Sequence, residues 1–398
     1  MREVVFVDGA RTAFGRLGGG LRQFYMTDLA GMAIRGLVDR TGILERGGKV
    51  DSVFMGCALG EVHTNNPARV AELSAGLGYE TTAHFVEMQC GSGIASINQA
   101  AYTILCGGAD VVIAGGAESY SQCAAKFSMC VEPYKMIAPR SIPQVLSPFS
   151  GDNISMIEVS DRMATKWGIS REDSDAFALR SQKRAEAAYL SGMIEKDIIP
   201  VIIPATKKTP EIIFDKDEQC RFESTMDGLA KLKPVNEGGV TTAGNASGRN
   251  DGAAFILMMT MEKARELGYE PIARWVCGAV SGVDPKEMGI GPAFSNVKAM
   301  KQAGLRIADI DVLECNEAFA AQNLSVIKEM EKQMDEPIDQ KKWNPNGGAI
   351  SFGHPNGASG GRIGLFAMRQ LQKTGGRYGL FSSCCGGGLG VTTVIERI

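Results

Sequence analysis

The feature that most constrains the fold is a repeated order of turn, helix and strand in the two halves of the chain. In the first half, a Gly/Ser turn at 91–93 precedes a helical run, a Gly-Gly pair and an apolar strand that ends at Gly115-Gly116. In the second half, a turn at 357–360 opens the same series, and its strand ends before the glycines at 386–388. The repeat predicts a duplicated α/β unit. A single unit is the alternative, because Gly-Gly after a helix is also common C-cap chemistry.

Elsewhere strand-like and helical runs alternate. Periodicity predicts strands at 4–7, 50–57, 83–88, 110–114, 253–259, 274–280, 310–314, 378–382 and 391–398, and helices at 28–38, 67–77, 94–105, 297–303, 318–330 and 359–372. Such alternation is typical of a largely parallel sheet covered by helices on both faces. Between the halves the pattern is irregular, with one clear helix at 172–190, which predicts a long insertion over the sheet.

Composition and charge argue against several classes of function. The net charge of −3 leaves no basic excess to neutralise nucleic-acid phosphates. No apolar run approaches the roughly 18 residues that a membrane span requires. The N-terminus resembles a first strand rather than a signal peptide, so we expect a cytoplasmic protein. Ten cysteines in such a chain are expected to be reduced thiols, and the absence of any Cys-x-x-Cys pair argues against a zinc site.

Cys90 stands in a stretch that is suited to expose a thiol. Residues Gln89-Cys90-Gly91-Ser92-Gly93 precede the helical run, which places Cys90 at a helix N-terminus. There the unpaired N–H groups and the helix dipole favour a thiolate, so we expect a nucleophile. Gly91 and Gly93 leave room for a substrate or a second backbone. A buried, inert cysteine is the alternative, because free cysteines are among the most buried residues.

Three further positions are candidates for a polar site. His354 alone among three histidines lies in a Gly-rich turn before a helix, where an imidazole can be presented. Cys384 ends an apolar strand before Gly386, whose N–H can face an oxyanion, and in a duplicated fold its thiol would emerge beside Cys90. Packing at a tight bend is the alternative for this cysteine. Asn316-Glu317 follows a strand and opens a helix, where capping is favoured over a site function.

Together these residues resemble the thiolases, the family of 3-oxoacyl-CoA and acetyl-CoA acyltransferases. The similar blocks are Asp8-Gly9-Ala10-Arg11-Thr12, Gln89-Cys90-Gly91-Ser92-Gly93, Ala243-Gly244-Asn245-Ala246-Ser247-Gly248, Asn316-Glu317-Ala318-Phe319-Ala320, Gly353-His354-Pro355 with Gly357-Ala358-Ser359-Gly360, and Cys384-x-Gly386-Gly387-Gly388-x-Gly390. Four of them look like the catalytic blocks of that family, and together they run nearly from end to end. The resemblance therefore weakens the packing and capping alternatives.

The resemblance implies an α/β thiolase fold, in which two duplicated βαβαβαββ halves stack in five layers (αβαβα). The implied domains are an N-terminal half at 1–120 plus 250–272, an inserted loop domain over the coenzyme A site at 121–249, and a C-terminal half at 273–398. A homodimer or a dimer of dimers is implied as well. The family needs no metal and no cofactor, since coenzyme A is itself a substrate.

The resemblance also implies functions for individual residues. Cys90 would carry the acyl group after attacking the 3-oxo carbon. His354 and a water held by Asn316 would bind the enolate oxygen, and Cys384 would act as acid and base. The N–H groups of Cys90 and Gly386 would bind the second oxyanion. The positions implied to contact coenzyme A or the acyl group are Arg221, Ala246, Ser247, Arg249, Met288, Phe319 and Met156.

Four positions depart from the usual thiolase pattern. Ser155 stands where acetoacetyl-CoA thiolases commonly carry a histidine. Asn356 replaces an aliphatic residue and Cys385 replaces an isoleucine. Arg249 replaces an apolar residue and offers a phosphate contact, with a solvated surface arginine as the alternative. The first three departures predict a remodelled pocket for a bulky, aromatic or dicarboxylic 3-oxoacyl-CoA. Benzoylsuccinyl-CoA thiolases act on such a substrate together with a small OB-fold, zinc-binding partner.

Other functions are weighed against this one. An acetoacetyl-CoA thiolase would share the same catalytic residues. A ketoacyl synthase would carry His or Asn in place of Cys384, which argues against it. A non-catalytic acyl-CoA-binding subunit would not need four intact blocks. A thiol redox protein is disfavoured because the chain has no Cys-x-x-Cys motif.

Overall fold

The computed structural model describes residues 2–128, 134–135, 137–207 and 209–398, and its elements follow the predicted alternation. The strands are β1 (Val4–Thr12), β2 (Gly15–Arg16), β3 (Ser52–Gly56), β4 (Thr82–Val86), β5 (Val111–Ser119), β6 (Phe127–Ser128), β7 (Arg140–Ser141), β8 (Ile198–Ile199), β9 (Val201–Ile203), β10 (Ile212–Phe214), β11 (Asn250–Thr260), β12 (Ala273–Gly282), β13 (Ile310–Cys315), β14 (Tyr378–Cys385) and β15 (Leu389–Arg397). The helices are α1 (Met26–Thr41), α2 (Pro67–Ser74), α3 (Ser92–Leu105), α4 (Met156–Trp167), α5 (Arg171–Leu190), α6 (Met226–Ala230), α7 (Met261–Glu266), α8 (Gly291–Ala303), α9 (Ala320–Met334), α10 (Ala349–Phe352) and α11 (Asn356–Thr374).

Eleven of the described strands form one continuous sheet, whose main path runs β13-β14-β15-β12-β1-β11-β5-β3-β4. The two ends of the path repeat one another, since β3, β5, β11 and β1 hold the same relative positions as β13, β14, β15 and β12. Within the described residues the halves pair only through Val5 with Arg274 and Phe6 with Ala273. The structure therefore shows the duplicated unit that the sequence repeat predicted.

The sheet is mixed, so the prediction of a largely parallel sheet was wrong. Strand β3 is parallel to β4 and β5, and β13 is parallel to β14. Strand β11 is antiparallel to β1 and β5, and β15 is antiparallel to β14 and β12. The reason lies in the connections. Strand β14 reaches β15 through the turn at 386–388 without a crossover helix, and a chain that turns back directly pairs antiparallel.

Side-chain alternation along the strands divides the core into layers. Val5 and Val7 of β1 face α1 and α2, whereas Val4 and Phe6 face α3 and α11. Helices α3 and α11 pack between the strands of both halves, and α8 and α9 cover the far face of the second half. The resulting order of helices, strands, helices, strands and helices confirms the expected five layers.

The two central helices meet very closely at their N-terminal ends. A Cβ on Gly93 would lie 2.4 Å from the carbonyl oxygen of Gly357, and a Cβ on Gly360 would lie 2.3 Å from the Ile94 nitrogen. Only residues without a Cβ permit this approach. Of the two uses predicted for the space at Gly93, the structure shows the second backbone.

The segment between β5 and β11 is more regular than expected. One helix was predicted there, and the described residues contain three, α4, α5 and α6. Helix α4 begins after Ser155, whose hydroxyl accepts a hydrogen bond from the Glu158 N–H at 3.1 Å. This N-cap was not predicted, although serine is a preferred N-cap residue. The predicted domain boundaries stay predictions.

Candidate active site

Cys90 lies on a short turn that leads into α3. The turn is a 3-10 turn at Gln89–Gly91, and Gln89 has a φ of 48°, a left-handed conformation that strains a residue with a side chain. The Ser92 hydroxyl fastens the turn, because it accepts a hydrogen bond from the Met88 N–H at 2.8 Å and donates one to the Gln89 carbonyl at 2.7 Å. The strained turn holds Cys90 half-buried at the N-terminus of α3.

The surroundings of Cys90 favour its thiol form in the free protein, against the expectation that the helix N-terminus favours a thiolate. Burial raises the pKa of Cys90 well above its ordinary value, and nearby Cys384 and Glu118 raise it further. This desolvation acts against the dipole of α3, which favours the thiolate. The thiol must therefore lose its proton to a base when it attacks a substrate.

A second thiol, that of Cys384, comes to the same place from the end of β14. The neighbouring Ser383 hydroxyl donates a hydrogen bond to the Cys90 carbonyl at 3.3 Å. The Cys385 sulfur lies against Gly91, where an added Cβ would be only 2.3 Å from it. Cys384 is fully buried, and burial raises its pKa to about 12. The structure thus brings two protonated thiols from different halves together.

Gly386 lies beside the turn that carries Cys90. A Cβ on Gly386 would be 3.2 Å from Gln89 Cγ. The next two residues, Gly387 and Gly388, have φ values of 86° and 88°, which strain residues that carry a side chain. The glycines are therefore required for a turn that brings the backbone of Gly386 next to the Cys90 turn.

His354 and Asn316 form a buried pair. Asn316 Nδ2 lies 3.3 Å from His354 Nε2, and the Ser359 hydroxyl lies 2.6 Å from His354 Nδ1. Burial, together with the positive charge of Arg362, lowers the pKa of His354 to about 3, so the imidazole is neutral near pH 7. Asn316 Oδ1 is buried and has no hydrogen-bond partner within the described ranges. It is therefore available to a water or a ligand.

We expect His354 to make the protein sensitive to acid. A base whose pKa is about 6.5 when unfolded and about 3 when folded binds more protons in the unfolded state between those values. Its contribution to stability is present above about pH 6.5 and is lost as the pH falls toward 3. Between about pH 7 and about pH 4.5 the natural chain should lose roughly 2–3 kcal/mol more than His354→Gln. Equal losses in thermal unfolding would contradict this linkage.

A short segment before β11 ties the loop of Asn316 in place. Ala246 pairs with Phe319, and the Ser247 N–H donates a hydrogen bond to the Ala318 carbonyl at 3.0 Å. Two residues implied to bind coenzyme A therefore lie on backbone that also positions Asn316.

The same segment holds the turn of His354. Arg249 pairs with His354 as an isolated bridge. The side chain of Asn250 accepts a hydrogen bond from the His354 N–H at 3.0 Å and donates one to the Gly15 carbonyl at 2.9 Å. The segment from 246 to 250 thus connects both polar turns of the site.

The predicted pocket residues divide into two groups. Met288, Met156 and Phe319 contact the apolar cluster that contains Cys384, and Met288 is fully buried there. Arg221 is exposed and lines a separate cavity of about 230 Å³ together with Ser224, Ala243 and Gly244. Ala243 and Gly244 begin the stretch 243–250, whose later residues contact the His354 turn. The cavity therefore lies at the N-terminal end of this stretch, away from His354.

The capping prediction for Asn316-Glu317 was wrong. No side chain caps the N-terminus of α9. Asn316 faces His354, and the buried Glu317 accepts hydrogen bonds from Ser181 Oγ at 2.6 Å and Asn344 Nδ2 at 2.9 Å. Glu317 therefore ties α5 of the inserted segment to the site.

Glu118 is a buried support that the sequence analysis missed. Its carboxylate accepts hydrogen bonds from the N–H groups of Ala58, Leu59 and Gly357 at 2.9, 3.2 and 3.1 Å. It thereby anchors the N-terminus of α11 to the loop after β3. The one available signal was its position two residues after Gly116, near the end of a predicted strand.

The described ranges contain no cluster of His, Cys, Asp or Glu suited to hold a metal ion. No helix within them combines the length and the apolar character needed to cross a bilayer. Nine of the cysteines are free thiols, and Cys130 lies outside the described residues.

Comparison with known proteins agrees with this geometry. Family models of the thiolase N-terminal and C-terminal domains match residues 4–262 and 269–397. An acetyl-CoA acetyltransferase of Chromobacterium violaceum is 40% identical, over 99% of this chain and 100% of the relative. A 3-oxoadipyl-CoA/3-oxo-5,6-dehydrosuberyl-CoA thiolase of Escherichia coli is also 40% identical, over 100% of both chains. The crystal structure of the Bacillus anthracis acetyl-CoA acetyltransferase superposes with a TM-score of 0.91 at 36% identity, over 100% of this chain and 99% of that one. The chain therefore belongs to the thiolase family and is an acyltransferase.

Proposed function

We propose that this acyltransferase cleaves a 3-oxoacyl-CoA with coenzyme A through an acyl group carried on Cys90. The observation that supports the proposal best is the meeting of two thiols beside the turn at 386–388, in a site that also contains a neutral His354–Asn316 pair. One thiol suffices for a nucleophile. A second thiol adds a group that can donate a proton to the substrate carbon C2 and take one back.

The first half-reaction breaks the C2–C3 bond of the substrate. Cys90 Sγ attacks the 3-oxo carbon, and its proton passes to the neutral imidazole of His354. The N–H groups of Cys90 and Gly386 bind the oxyanion that forms. As C2–C3 breaks, its electron pair forms the enolate of the leaving acyl-CoA, which His354 and a water on Asn316 stabilise. Cys384 then gives its proton to C2 and becomes a thiolate.

The second half-reaction moves the acyl group to coenzyme A. The Cys384 thiolate takes the proton of the incoming thiol, whose sulfur attacks the thioester on Cys90. The oxyanion again faces the N–H groups of Cys90 and Gly386. Cys90 departs and recovers its proton from His354. Every protein group returns to its starting state, so the same residues serve both directions.

The substrate we propose is a bulky, aromatic or dicarboxylic 3-oxoacyl-CoA, such as benzoylsuccinyl-CoA. Three departures from the family pattern support it. Ser155 is an N-cap and supplies no imidazole, Asn356 is hydrogen-bonded to Tyr120, and Cys385 packs against Gly91. Acetoacetyl-CoA thiolysis is the second candidate, supported by the acetyl-CoA acetyltransferase relatives. The equal identity to the Escherichia coli 3-oxoadipyl-CoA thiolase does not separate the two.

We propose a homodimer or a dimer of dimers as the assembly. Strand β4 lies at the end of the main sheet path, and its outward side pairs with no described strand. Such an edge can pair with a second copy. A small OB-fold, zinc-binding partner stays a prediction, and a partner would be needed if the isolated chain cannot transfer acyl groups.

The function is tested by acyl transfer to Cys90. The purified chain is mixed with acetyl-CoA, succinyl-CoA and benzoyl-CoA, and the Cys90 peptide is examined for the added mass of each acyl group. We expect an adduct that is absent from Cys90→Ala and retained in Cys106→Ser, whose thiol is exposed. The acyl group that loads best identifies the substrate class. A folded chain that binds acyl-CoA without any adduct would be a non-catalytic binding subunit.

A further inference from the structure

Arg249 is a cation without a protein partner beside a turn of the candidate site. Its backbone pairs with His354, and its carbonyl accepts a hydrogen bond from the Leu17 N–H at 3.0 Å. The side chain is exposed, and its guanidinium makes no hydrogen bond or ion pair within the described part of the chain. A guanidinium on such an anchored backbone has all of its donors available for a planar anion.

Tyr120 lies across the end of the sheet from Arg249. Strands β5 and β11 are antiparallel, and Ser119 lies opposite Asp251. The next residue after Ser119, which is Tyr120, therefore lies beside residues 249–250 of the other strand. Burial raises the pKa of Tyr120, nearby Cys90 and Glu118 raise it further, and the positive charge of Arg249 lowers it. The phenol is therefore within electrostatic reach of both the Cys90 thiol and the Arg249 guanidinium.

Asn356 completes this polar corner. The Tyr120 hydroxyl donates a hydrogen bond to Asn356 Oδ1 at 3.2 Å, two residues after His354. The bond fixes the direction of the amide, whose Nδ2 has no hydrogen-bond partner among the described residues. Two donor groups, the amide of Asn356 and the guanidinium of Arg249, therefore flank Tyr120 near Cys90.

We propose that Arg249 and Asn356, oriented by Tyr120, bind the free carboxylate of a dicarboxylic 3-oxoacyl-CoA at the acyl end of the site. The planar fork of a guanidinium matches a carboxylate, and an amide adds a neutral donor. An apolar acyl chain would desolvate these donors without pairing them, which costs binding free energy. The inference rests on the proposed function and selects the dicarboxylic class within it.

The competing anion is a phosphate of coenzyme A itself. Arg221, in the separate cavity, is the arginine that the resemblance assigns to the nucleotide end. Arg249 instead pairs through its backbone with His354, and the charge of its side chain acts on the Tyr120 phenol. The pantetheine arm separates the phosphates from the thioester, so a cation whose charge reaches Tyr120, the hydrogen-bond partner of Asn356, favours a carboxylate of the acyl group.

The test measures binding to the Cys90→Ala protein, which cannot form the acyl-enzyme. Succinyl-CoA and butyryl-CoA have acyl chains of equal length, one ending in a carboxylate and the other in a methyl group. Adding Arg249→Leu should raise the Kd of succinyl-CoA roughly 10- to 100-fold and that of butyryl-CoA less than about 3-fold. Arg22→Leu, which removes another exposed arginine, should change neither.

Two further variants separate orientation from charge. Tyr120→Phe removes the bond that orients the amide, and Asn356→Leu removes the amide itself. Each variant should raise the Kd of succinyl-CoA roughly 3- to 10-fold and leave the Kd of butyryl-CoA nearly unchanged. A variant that merely disturbed the local structure would raise the Kd of both ligands alike.

Two outcomes would overturn the proposal. If Arg249→Leu raised the Kd of both ligands equally, Arg249 would be assigned to a phosphate of coenzyme A. Arg221→Leu is expected to show that pattern. If Arg249→Leu left the Kd of both ligands unchanged, Arg249 would be a surface arginine without a function in binding. Failure of the proposed function would appear elsewhere, as absence of acyl transfer to Cys90 in the otherwise natural chain. The two failures are therefore distinguishable.

Discussion

Replacing Cys90 with alanine should abolish thiolysis, with kcat falling at least ~10⁴-fold, because no other group can carry the acyl intermediate. The measurement is the consumption of 3-oxoacyl-CoA in the presence of coenzyme A. Since Cys90 is half-buried at the end of α3 and makes no side-chain hydrogen bond within the described ranges, the alanine variant should fold normally. Its Tm should therefore stay close to that of the natural chain.

The matched controls are the two cysteines that are exposed among the described residues. Cys106→Ser and Cys123→Ser remove thiols that lie on the surface, so they should keep the natural rate. A Cys90→Ala protein that still turned over substrate, with the same Tm as the natural chain, would show that the acyl group travels by another route. Substantial loss in either control would show instead that the assay reports general thiol damage.

Replacing Cys384 with alanine should abolish proton exchange at C2 of an acyl-CoA. This exchange requires only the acid and base at the carbon, so it isolates Cys384 from the acyl transfer itself. We expect deuterium incorporation from D₂O into succinyl-CoA to fall by roughly 10²- to 10⁴-fold in Cys384→Ala. Cys90→Ala should retain the exchange, because His354, Asn316 and Cys384 are untouched in it.

The opposite pattern would contradict the assignment. Exchange that survives in Cys384→Ala would require another base at C2. Cys384 is fully buried in the cluster that contains Met288, so its alanine variant leaves a cavity and loses some stability. The comparison is therefore made below the Tm of both variants, where each protein is folded.

Most elements of the fold were predictable, because their signals are local. Strand and helix periods located β1, β5, α3 and α11, and the Gly-rich turns located Cys90 and His354 at helix N-termini. A turn that requires glycine, or a helix that begins after a cap, depends on neighbouring residues only. The repeat of such turns indicated the duplication before any contact was known.

The sequence by itself determined the periodic elements, the duplication and the residues of the blocks. Only the tertiary structure decided how the strands are oriented, that burial raises the pKa of Cys90, that Asn316 faces His354, and that Tyr120 meets Asn356. These features depend on which turns meet in space, and the partners in the last two pairs lie 38 and 236 positions apart in the chain. Desolvation and pairing are set by such distant neighbours, whereas helical and strand periods are set by adjacent ones.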